Sequence, residues 1–305
     1  MVRIILSSMV LMVTTSPIRV GTRQSALAMA QAQQVTAALG VVCEIVPIIS
    51  SGDKILGSLR DHGGKSLFTK ELDLALLKGE IDLAVHSMKD VETPLPEGLE
   101  IGAVSCREDP RDVLITNSRL KHFEKGIRIG TSSLRRAHQL ALHHPNITIA
   151  PCRGNIQTRL QKYANGEFDG IVLAVAGLKR MGLFNNGSIE GIQANVQMLD
   201  VNDYIPAPGQ GALVVTKRSN DHRFDEILKG INHPDSLQAI QIERMVVNAL
   251  NLTCHDPVGI YAQIKENEFF VNIILFNAEG FVTEQVRGTL DAVERVLQKL
   301  ISRII

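Results

Sequence analysis

The stretch Ile81-Asp82-Leu83-Ala84-Val85-His86-Ser87-Met88-Lys89-Asp90 decides the fold of this chain. Its apolar first half predicts a buried strand, and its polar second half begins where that strand ends. A helical pattern over residues 66–78, closed by Gly79, comes directly before it. Helices that alternate with buried strands predict a mainly parallel sheet, whose ligands bind beyond the carboxyl ends of the strands. Residues 86–90 lie at such an end.

The same alternation extends on both sides of this stretch. The predicted upstream elements are strands at 18–21 and 41–49 and a helix at 24–39 that ends at Gly40. The predicted downstream elements are strands at 113–116, 127–129, 147–150 and 170–175 and helices at 130–143 and 155–164. A turn at 206–211 then leads into a strand at 212–216, which is compatible with a return of the chain to the first sheet. The pattern therefore predicts two α/β units.

The pattern changes from Pro234 onward. A helix at 236–250 precedes a polar turn, and three strands and a closing helix follow at 259–264, 269–276, 281–288 and 291–304. Neighbouring strands joined by short turns predict antiparallel pairing. The last part of the chain therefore predicts a small antiparallel α+β domain.

The composition is that of an ordinary globular protein, and 305 residues suffice for two or three domains. Lys and Arg number 32, as do Asp and Glu, so the net charge is zero. A general nucleic-acid binder would be basic, and any cationic site must therefore be local. Apart from residues 1–16, no apolar run is long enough to predict a membrane span. We expect 1–16 to form a disordered extension, with a signal peptide as the alternative.

The four cysteines are far apart and form no C-x-x-C pair: Cys43, Cys106, Cys152 and Cys254. This spacing argues against a zinc site or a disulfide framework and favours a reducing cytosol, so we expect no metal. Two of the thiols are candidates for reactivity. Cys254 lies in a polar turn, whereas Cys152 stands next to Arg153, a cation that would lower the pKa of the thiol. Local chemistry does not choose between them.

Two arginines stand where a helix is predicted to begin. Arg135 and Arg136 fall in the first turn of the helix that Thr131, Ser132 and Ser133 open. A helix N-terminus favours acidic side chains, so two cations there conflict with the helix dipole. The conflict disappears if an anion binds to the backbone N–H groups, the hydroxyls and the guanidinium groups. The alternative is a solvated arginine pair on a surface helix.

Further arginines occupy similar positions. They are Arg23, with Ser25, at the start of the first helix, Arg153 and Arg159 around Gly154 and the capping Asn155, and Arg180 at the end of a short helical run at 176–180. For each of them the alternative is a surface arginine at a helix end. Together they suggest a polyanionic ligand with carboxylate or phosphate groups. The chain has no G-x-x-x-x-G-K-[ST] motif, so a nucleoside triphosphate is not implied.

Asp90 is the candidate catalytic carboxylate. It stands beside Lys89 at the end of the buried strand. A carboxylate in a cationic cleft can transfer a proton or stabilise a cationic intermediate. The alternative is a Lys–Asp surface pair without a role. His86 is more typical of a core histidine than of a catalytic base.

Eight stretches, in the right order, resemble the porphobilinogen deaminase (hydroxymethylbilane synthase) family. They are IRVGTRQSALA at 18–28, GGKSLFTKE at 63–71, DLAVHSMKDV at 82–91, REDPRD at 107–112, GTSSLRR at 130–136, RGNIQTRL at 153–160, AGLKRMG at 176–182 and PAPGQGAL at 206–213. The resemblance covers residues 17–305 approximately.

The resemblance implies two type II periplasmic-binding-protein-like α/β domains and a C-terminal α+β domain with a three-stranded antiparallel sheet. On this basis we expect domain 1 at 17–106 and 204–228, domain 2 at 110–200 and domain 3 at 233–305. The resemblance also implies a dipyrromethane cofactor, joined by a thioether to a cysteine of the third domain. That cysteine aligns with Cys254 rather than with Cys152.

The implied reaction condenses four porphobilinogen molecules head-to-tail into hydroxymethylbilane, with release of ammonia, as a step of tetrapyrrole and heme biosynthesis. Asp90 matches the catalytic aspartate, which would assist the departure of ammonia and balance the positive charge of the intermediate. The residues expected to bind cofactor and substrate carboxylates are Arg23, Ser25, Lys65, Lys89, Thr131, Ser132, Ser133, Arg135, Arg136, Arg153, Gly154, Arg159 and Arg180. Residues 50–65 match a mobile loop over the cleft. We expect a cytoplasmic monomer with no nucleic-acid or membrane partner.

The chain departs from the family next to the attachment cysteine. The family usually has two glycines there, whereas this chain has Leu252 and Thr253. If the glycines supply positive φ, this change strains or reshapes the loop. The alternative function is therefore a non-catalytic or weakly active anion-binding protein on the same scaffold, with impaired cofactor loading.

Overall fold

The computed structural model describes residues 16–54, 68–117, 126–253 and 256–304. The strands are β1 (Ile18–Arg23), β2 (Cys43–Ile48), β3 (Leu83–Ser87), β4 (Leu99–Val104), β5 (Asp112–Thr116), β6 (Arg128–Gly130), β7 (Thr148–Ala150), β8 (Gly170–Ala174), β9 (Phe184–Asn185), β10 (Ser188–Ile189), β11 (Asn195–Met198), β12 (Leu213–Arg218), β13 (Val258–Lys265), β14 (Glu268–Asn277) and β15 (Gly280–Thr289). The helices are α1 (Ala26–Leu39), α2 (Ser51–Lys54), α3 (Lys70–Leu77), α4 (Leu134–His143), α5 (Ile156–Ala164), α6 (Val175–Arg180), α7 (Asp225–Ile231), α8 (Pro234–Ala249) and α9 (Val293–Ile304).

The first sheet has the order β2-β1-β3-β12-β4. β1 pairs in parallel with β2 and β3, and β12 lies antiparallel between β3 and β4. Helices cover both faces, and the residues of β3 from Leu83 to Val85 are accordingly buried. Because β12 comes from late in the chain, the expected return to the first sheet is confirmed.

The second sheet repeats this plan with the order β11-β5-β8-β6-β7. β6 is parallel to β7 and β8, while β5 is antiparallel to β8 and β11. The chain therefore passes between the two sheets twice, through residues 105–111 (the first connection) and 199–212 (the second connection). In each sheet the one antiparallel strand, β12 or β5, is the strand that directly follows a connection. This is the order of the type II binding-protein fold, so the predicted α/β class is confirmed.

The third sheet, β13-β14-β15, is antiparallel throughout. Helices α8 and α9 pack on it and form one apolar core, with Ile260, Val271 and Leu297 fully buried. The predicted C-terminal α+β domain is confirmed.

The sequence did not predict α2, β4, β9, β10, β11 and α7, and several predicted ends lie one to four residues away from those observed. β4 follows a segment with Pro94, Pro96 and Gly98 and reads LEIGAV, which alternates poorly. The helix expected from residue 66 begins at Lys70, and residues 66 and 67 lie outside the described part of the chain. Within the described ranges, no helix combines the length and the apolar character needed to cross a membrane.

Candidate active site

Three strand-to-helix junctions carry the predicted arginines. They are the β1–α1 junction with Arg23 and Ser25, the β6–α4 junction at residues 131–133, and the β7–α5 junction with Arg153 and Gly154. Each follows a strand with a parallel neighbour, so each lies at a carboxyl end, where α/β sheets bind ligands. Ser25, Ser133 and Asn155 cap the three helices with their side chains.

Asp90 lies in a one-turn 3₁₀ helix, Met88–Asp90, directly after β3. Because β1 and β3 are adjacent, its carboxylate comes 3.7 Å from the Arg23 guanidinium, with side chains 30% and 21% exposed. The Arg23 guanidinium also lies 4.3 Å from the centroid of the Phe68 ring. Arg23, Gln31, Phe68, His86 and Asp90 line one small pocket. An accessible carboxylate beside a cation is therefore built into this end of the first sheet.

His86 is a core residue, as its sequence context indicated. It is 5% exposed, and its Nε2 lies 3.1 Å from the Thr216 hydroxyl. Burial, with a smaller effect of Arg23, lowers the pKa of His86 to about 4. The imidazole is therefore neutral at pH 7.

Lys89 is a half-buried cation in the 3₁₀ turn after β3. Burial, followed by the proximity of Arg136, lowers the pKa of its ammonium to about 8. Asp90 and Asp112 act in the opposite direction. The part of the chain that the structure describes places no carboxylate within ion-pair distance of Lys89, which suits it to bind a carboxylate from a ligand.

Arg135 and Arg136 are 4% and 8% exposed, so the alternative of a solvated surface pair is wrong. The anion beside them is a residue of the chain itself. The Asp112 carboxylate accepts a hydrogen bond from Arg135 Nη2 at 2.7 Å and from Arg136 Nη2 at 2.8 Å. The conflict between two cations and a helix N-terminus is thus relieved from within the protein. Thr131 is buried beside them and accepts from the Ser133 N–H at 3.2 Å.

Arginine donors remain that have no acceptor. Among the described residues, the arginine nitrogens that are buried without a hydrogen-bond partner are Nε of Arg135, Nε of Arg136, Nε of Arg180 and Nη1 of Arg244. Three of these four belong to predicted binding residues. A buried donor without an acceptor costs about 1–3 kcal/mol, so such donors mark a place where an acceptor is missing.

The third junction adds more positive charge. Arg159 Nε donates to the Gly154 carbonyl at 2.8 Å, and burial, together with Arg136 and Arg153, lowers the pKa of Arg159. Gly154 has φ of 113°, and a Cβ there would lie 2.6 Å from Thr158 Cγ2, so this turn requires glycine. Arg180, at the end of α6, donates to the Gly211 carbonyl at 2.6 Å, and burial lowers its pKa to about 10.

Comparison with known families agrees with this arrangement. The family model described as "Porphobilinogen deaminase, dipyromethane cofactor binding domain" matches residues 18–226. The chain belongs to the porphobilinogen deaminase family.

Curated members of the porphobilinogen deaminase family match most of the chain. That of Syntrophobacter fumaroxidans is 43% identical over 275 residues, which is 88% of this chain and 86% of that protein. That of Paenibacillus macerans is 43% identical over 264 residues, which is 83% of this chain and 79% of that protein. Among solved structures, an ABC transporter protein from Parabacteroides distasonis is 12% identical with a TM-score of 0.43 and covers 70% of each chain.

The cofactor of the porphobilinogen deaminase family is dipyrromethane, and Cys254, the expected attachment residue, lies outside the described residues, as does Lys65. The rival thiol is described. Cys152 is fully buried, and burial raises its pKa, which is unlike a reactive thiol. The surroundings of Cys152 therefore argue against the hypothesis that it is the reactive thiol.

The backbone of the residues before Cys254 is not strained in the way expected from the replacement of the family's two glycines by Leu252 and Thr253. Asn251 has φ of 50°, and it is the residue with positive φ among the described residues 250–253. Leu252 packs against the core of the third domain. The Thr253 N–H and hydroxyl both donate to Asp256 Oδ2, at 2.6 and 2.8 Å. The left-handed position that a glycine would supply is taken by an asparagine, a residue that tolerates it.

Sequence reading missed four residues of this porphobilinogen deaminase site: Gln31, Phe68, Asp112 and Gln210. Phe68 and Asp112 lie in stretches that carried the family resemblance, GGKSLFTKE and REDPRD. Neither was predicted as a site residue, because an apolar ring and a carboxylate are not groups that bind an anion. A weak signal existed for Gln31, a polar residue on the otherwise apolar face of α1 that is 4% exposed.

Proposed function

We propose that this chain condenses four porphobilinogen molecules head-to-tail into hydroxymethylbilane, with release of one ammonia at each condensation and uptake of one water when the finished tetrapyrrole is released. The observation that carries the proposal is the Asp90–Arg23 pair at the carboxyl end of β3, whose side chains are 30% and 21% exposed. Membership of the porphobilinogen deaminase family supports the same reaction. The comparisons favour this function over a non-catalytic anion-binding protein.

The residues present fit a dipyrromethane primer, which we propose is joined by a thioether to Cys254. Each pyrrole carries an acetate and a propionate, so primer and product chain form a polycarboxylate. The unpartnered Nε groups of Arg135, Arg136 and Arg180 are donors suited to carboxylates. When bound, the primer supplies the nucleophilic pyrrole carbon for the first new C–C bond.

Each condensation breaks the C–N bond of an aminomethyl group and forms a C–C bond to the free α-carbon of the terminal pyrrole. Ammonia leaves, and the α-carbon loses its proton. Positive charge therefore develops next to the departing amine, and we assign its stabilisation to the Asp90 carboxylate. The Arg23 guanidinium lies 3.7 Å from that carboxylate.

The binding roles extend the same proposal to the remaining predicted residues. We assign contacts with substrate and cofactor carboxylates to Arg23, Ser25, Lys65, Lys89, Thr131, Ser132, Ser133, Arg135, Arg136, Arg153, Gly154, Arg159 and Arg180. Burial lowers the pKa values of Lys89 and Arg159, and the nearby Arg136 lowers both further, so these cations lie close together, which supports this assignment. Because carboxylates bound there restore the charge balance, the cluster would favour a polyanion over a neutral pyrrole.

We further propose domain boundaries at 17–106 with 204–228, at 110–200 and at 233–305. Sheet membership supports them, since β12 joins the first sheet and β5–β11 contains the whole second sheet. A monomeric cytoplasmic protein with no nucleic-acid or membrane partner completes the proposal. Zero net charge supports the absence of a nucleic-acid partner, and the dispersed cysteines support a reducing cytoplasm.

Intact-mass measurement of the purified protein tests the function. We expect an added mass of two pyrrole units on the wild-type chain, its loss in Cys254→Ser, and its retention in the control Cys106→Ser, which changes an exposed thiol. An adduct that survives in Cys254→Ser would disprove the attachment site. A bare wild-type polypeptide that does not consume porphobilinogen would disprove the proposed reaction.

A further inference from the structure

One buried carboxylate joins the arginine pair to the segments that link the two α/β domains. Asp112 is 1% exposed and accepts from three side chains. Arg135 Nη2 reaches Oδ2 at 2.7 Å, Arg136 Nη2 reaches Oδ1 at 2.8 Å, and Gln210 Nε2 reaches Oδ1 at 2.8 Å. Burial alone would raise the pKa of Asp112, but the two arginines hold it far below its ordinary value. The carboxylate is therefore ionised at any pH at which the protein works.

The two arginines are held by the same pattern of contacts. In each, one terminal nitrogen donates to Asp112 and the other donates to a backbone carbonyl, that of Ile205 for Arg135 at 2.9 Å and that of Val172 for Arg136 at 3.1 Å. Both guanidinium planes are thereby fixed, and in both the remaining Nε is buried without an acceptor. With Asp112 removed, each plane would be fixed at one nitrogen and could turn.

The same contacts reach both connections between the domains. Asp112 immediately follows the first connection, while Gln210 and Ile205 belong to the second. Gln210 Nε2 also donates to the Pro110 carbonyl at 2.7 Å, so it crosses from one connection to the other. The side chain of Gln139, on α4, bonds the Ile205 N–H at 2.6 Å and the Ile205 carbonyl at 3.0 Å. Helix α4 is therefore bonded directly to the second connection, and it is linked to the first through Asp112 and Gln210.

We propose that Asp112 is a positioning residue, which aligns Arg135 and Arg136 for the carboxylates of the pyrrole chain and ties that alignment to the interdomain connections through Gln210. It acts through the arginines and touches no reacting atom. This inference rests on the proposed function. It predicts that weakening the Asp112 contacts impairs substrate binding more than the chemical step.

The test compares steady-state kinetics with porphobilinogen for Asp112→Asn, Gln210→Leu and Asp82→Asn, together with thermal unfolding of each. Asp82 is the matched control, because it is a buried carboxylate with arginine partners at the opposite end of β3, 6% exposed and bonded to Arg19 at 3.0 Å. We expect Asp112→Asn to raise KM about tenfold or more with kcat changed less than threefold, as for displaced charge-assisted contacts. Asp82→Asn should lower Tm while leaving KM within twofold.

Gln210→Leu keeps the test decisive if Asp112→Asn does not fold. It removes one of the three partners of Asp112 and leaves the ion pairs in place, so we expect a folded protein with KM raised about threefold. An unchanged KM in a folded Asp112→Asn protein, or in Gln210→Leu where Asp112→Asn does not fold, would overturn the inference. The wild-type protein tests the proposed function separately. If it consumes porphobilinogen, the proposed function holds whatever the variants show. If it is inactive, the proposed function itself is disproved.

Discussion

The Arg23 guanidinium lies 3.7 Å from the Asp90 carboxylate, where the adjacent parallel strands β1 and β3 end. The two residues are 67 positions apart in the chain, and strand pairing alone brings them together. Their separation is longer than a hydrogen bond, and both side chains remain partly exposed, so a ligand group can enter between or beside them. This is the arrangement expected of a carboxylate that must meet a developing cation rather than close a structural ion pair.

Asp90→Asn should therefore abolish most of the condensation while leaving substrate binding intact. The amide keeps the shape but loses the charge that stabilises the departing amine, and we expect kcat to fall about 100-fold or more with KM within threefold. Ammonia release and porphobilinogen consumption measure the effect. Asp291→Asn, in the turn before α9, serves as the control. Full activity in Asp90→Asn would remove this residue from the mechanism.

The fold was largely predictable, because buried strands alternate with helices that have clear end signals, as at Gly40, whose φ is 67°. The arginine junctions were predictable for the same reason, since a cation in a first helical turn conflicts with local rules and so points to a partner. The identity of that partner was not predictable. Asp112 is separated from Arg135 by 23 residues and from Gln210 by 98, and only the tertiary fold joins them.

Lys89 should give substrate binding a dependence on alkaline pH. Burial and Arg136 lower the pKa of its ammonium from 10.5 to about 8, so the free protein loses this charge as the pH rises through 8. A carboxylate ligand binds the charged form, and KM for porphobilinogen should therefore increase several-fold between pH 7 and pH 9. Lys89→Arg, whose charge persists over this range, should flatten the profile. Equal KM profiles for the two proteins would show that Lys89 does not bind the substrate.

His86 should make the protein less stable in acid. Its pKa is about 4 in the folded state and about 6.5 when unfolded, so the unfolded chain binds the proton more readily between these values. Its contribution to the free energy of unfolding is complete above pH 6.5 and is lost as the pH falls toward 4, by roughly 3 kcal/mol. Urea unfolding at pH 7.5 and 4.5 measures it. His86→Gln should show a smaller loss over this interval; an identical loss would contradict the prediction.

Glu243 should be essential for stability, because it joins the third domain to both interdomain connections, through Gly209 in the second connection and Arg107 in the first. This fully buried carboxylate accepts from Arg107 Nη1 at 2.6 Å, from the Gly209 N–H at 2.6 Å and from the Ala262 N–H at 2.7 Å. Glu243→Gln leaves the Arg107 charge unpaired and should cost about 3–5 kcal/mol of unfolding free energy.

The exposed ion pair of Glu226 with Lys229 provides the control for this experiment. Glu226→Gln should change the unfolding free energy by less than about 0.5 kcal/mol, since exposed pairs contribute little. Urea titration of both variants separates the two cases. Similar values for Glu243→Gln and Glu226→Gln would mean that the buried contacts of Glu243 do not stabilise the domain junction.

Leu252 and Thr253 should help to hold the segment before Cys254, although glycines are usual there. Leu252 contributes to the apolar core of the third domain, and Thr253 is tied to Asp256 through its N–H and its hydroxyl. Leu252→Gly removes that packing and frees the backbone of the unfolded chain, so it should cost about 1–3 kcal/mol of unfolding free energy. The cofactor adduct seen by intact mass should not increase, because Asn251 already takes the left-handed position. Thr253→Gly, which removes the hydroxyl bond to Asp256 but no side chain of that apolar core, should cost less. A gain of stability or of adduct in Leu252→Gly would show that this leucine strains the loop.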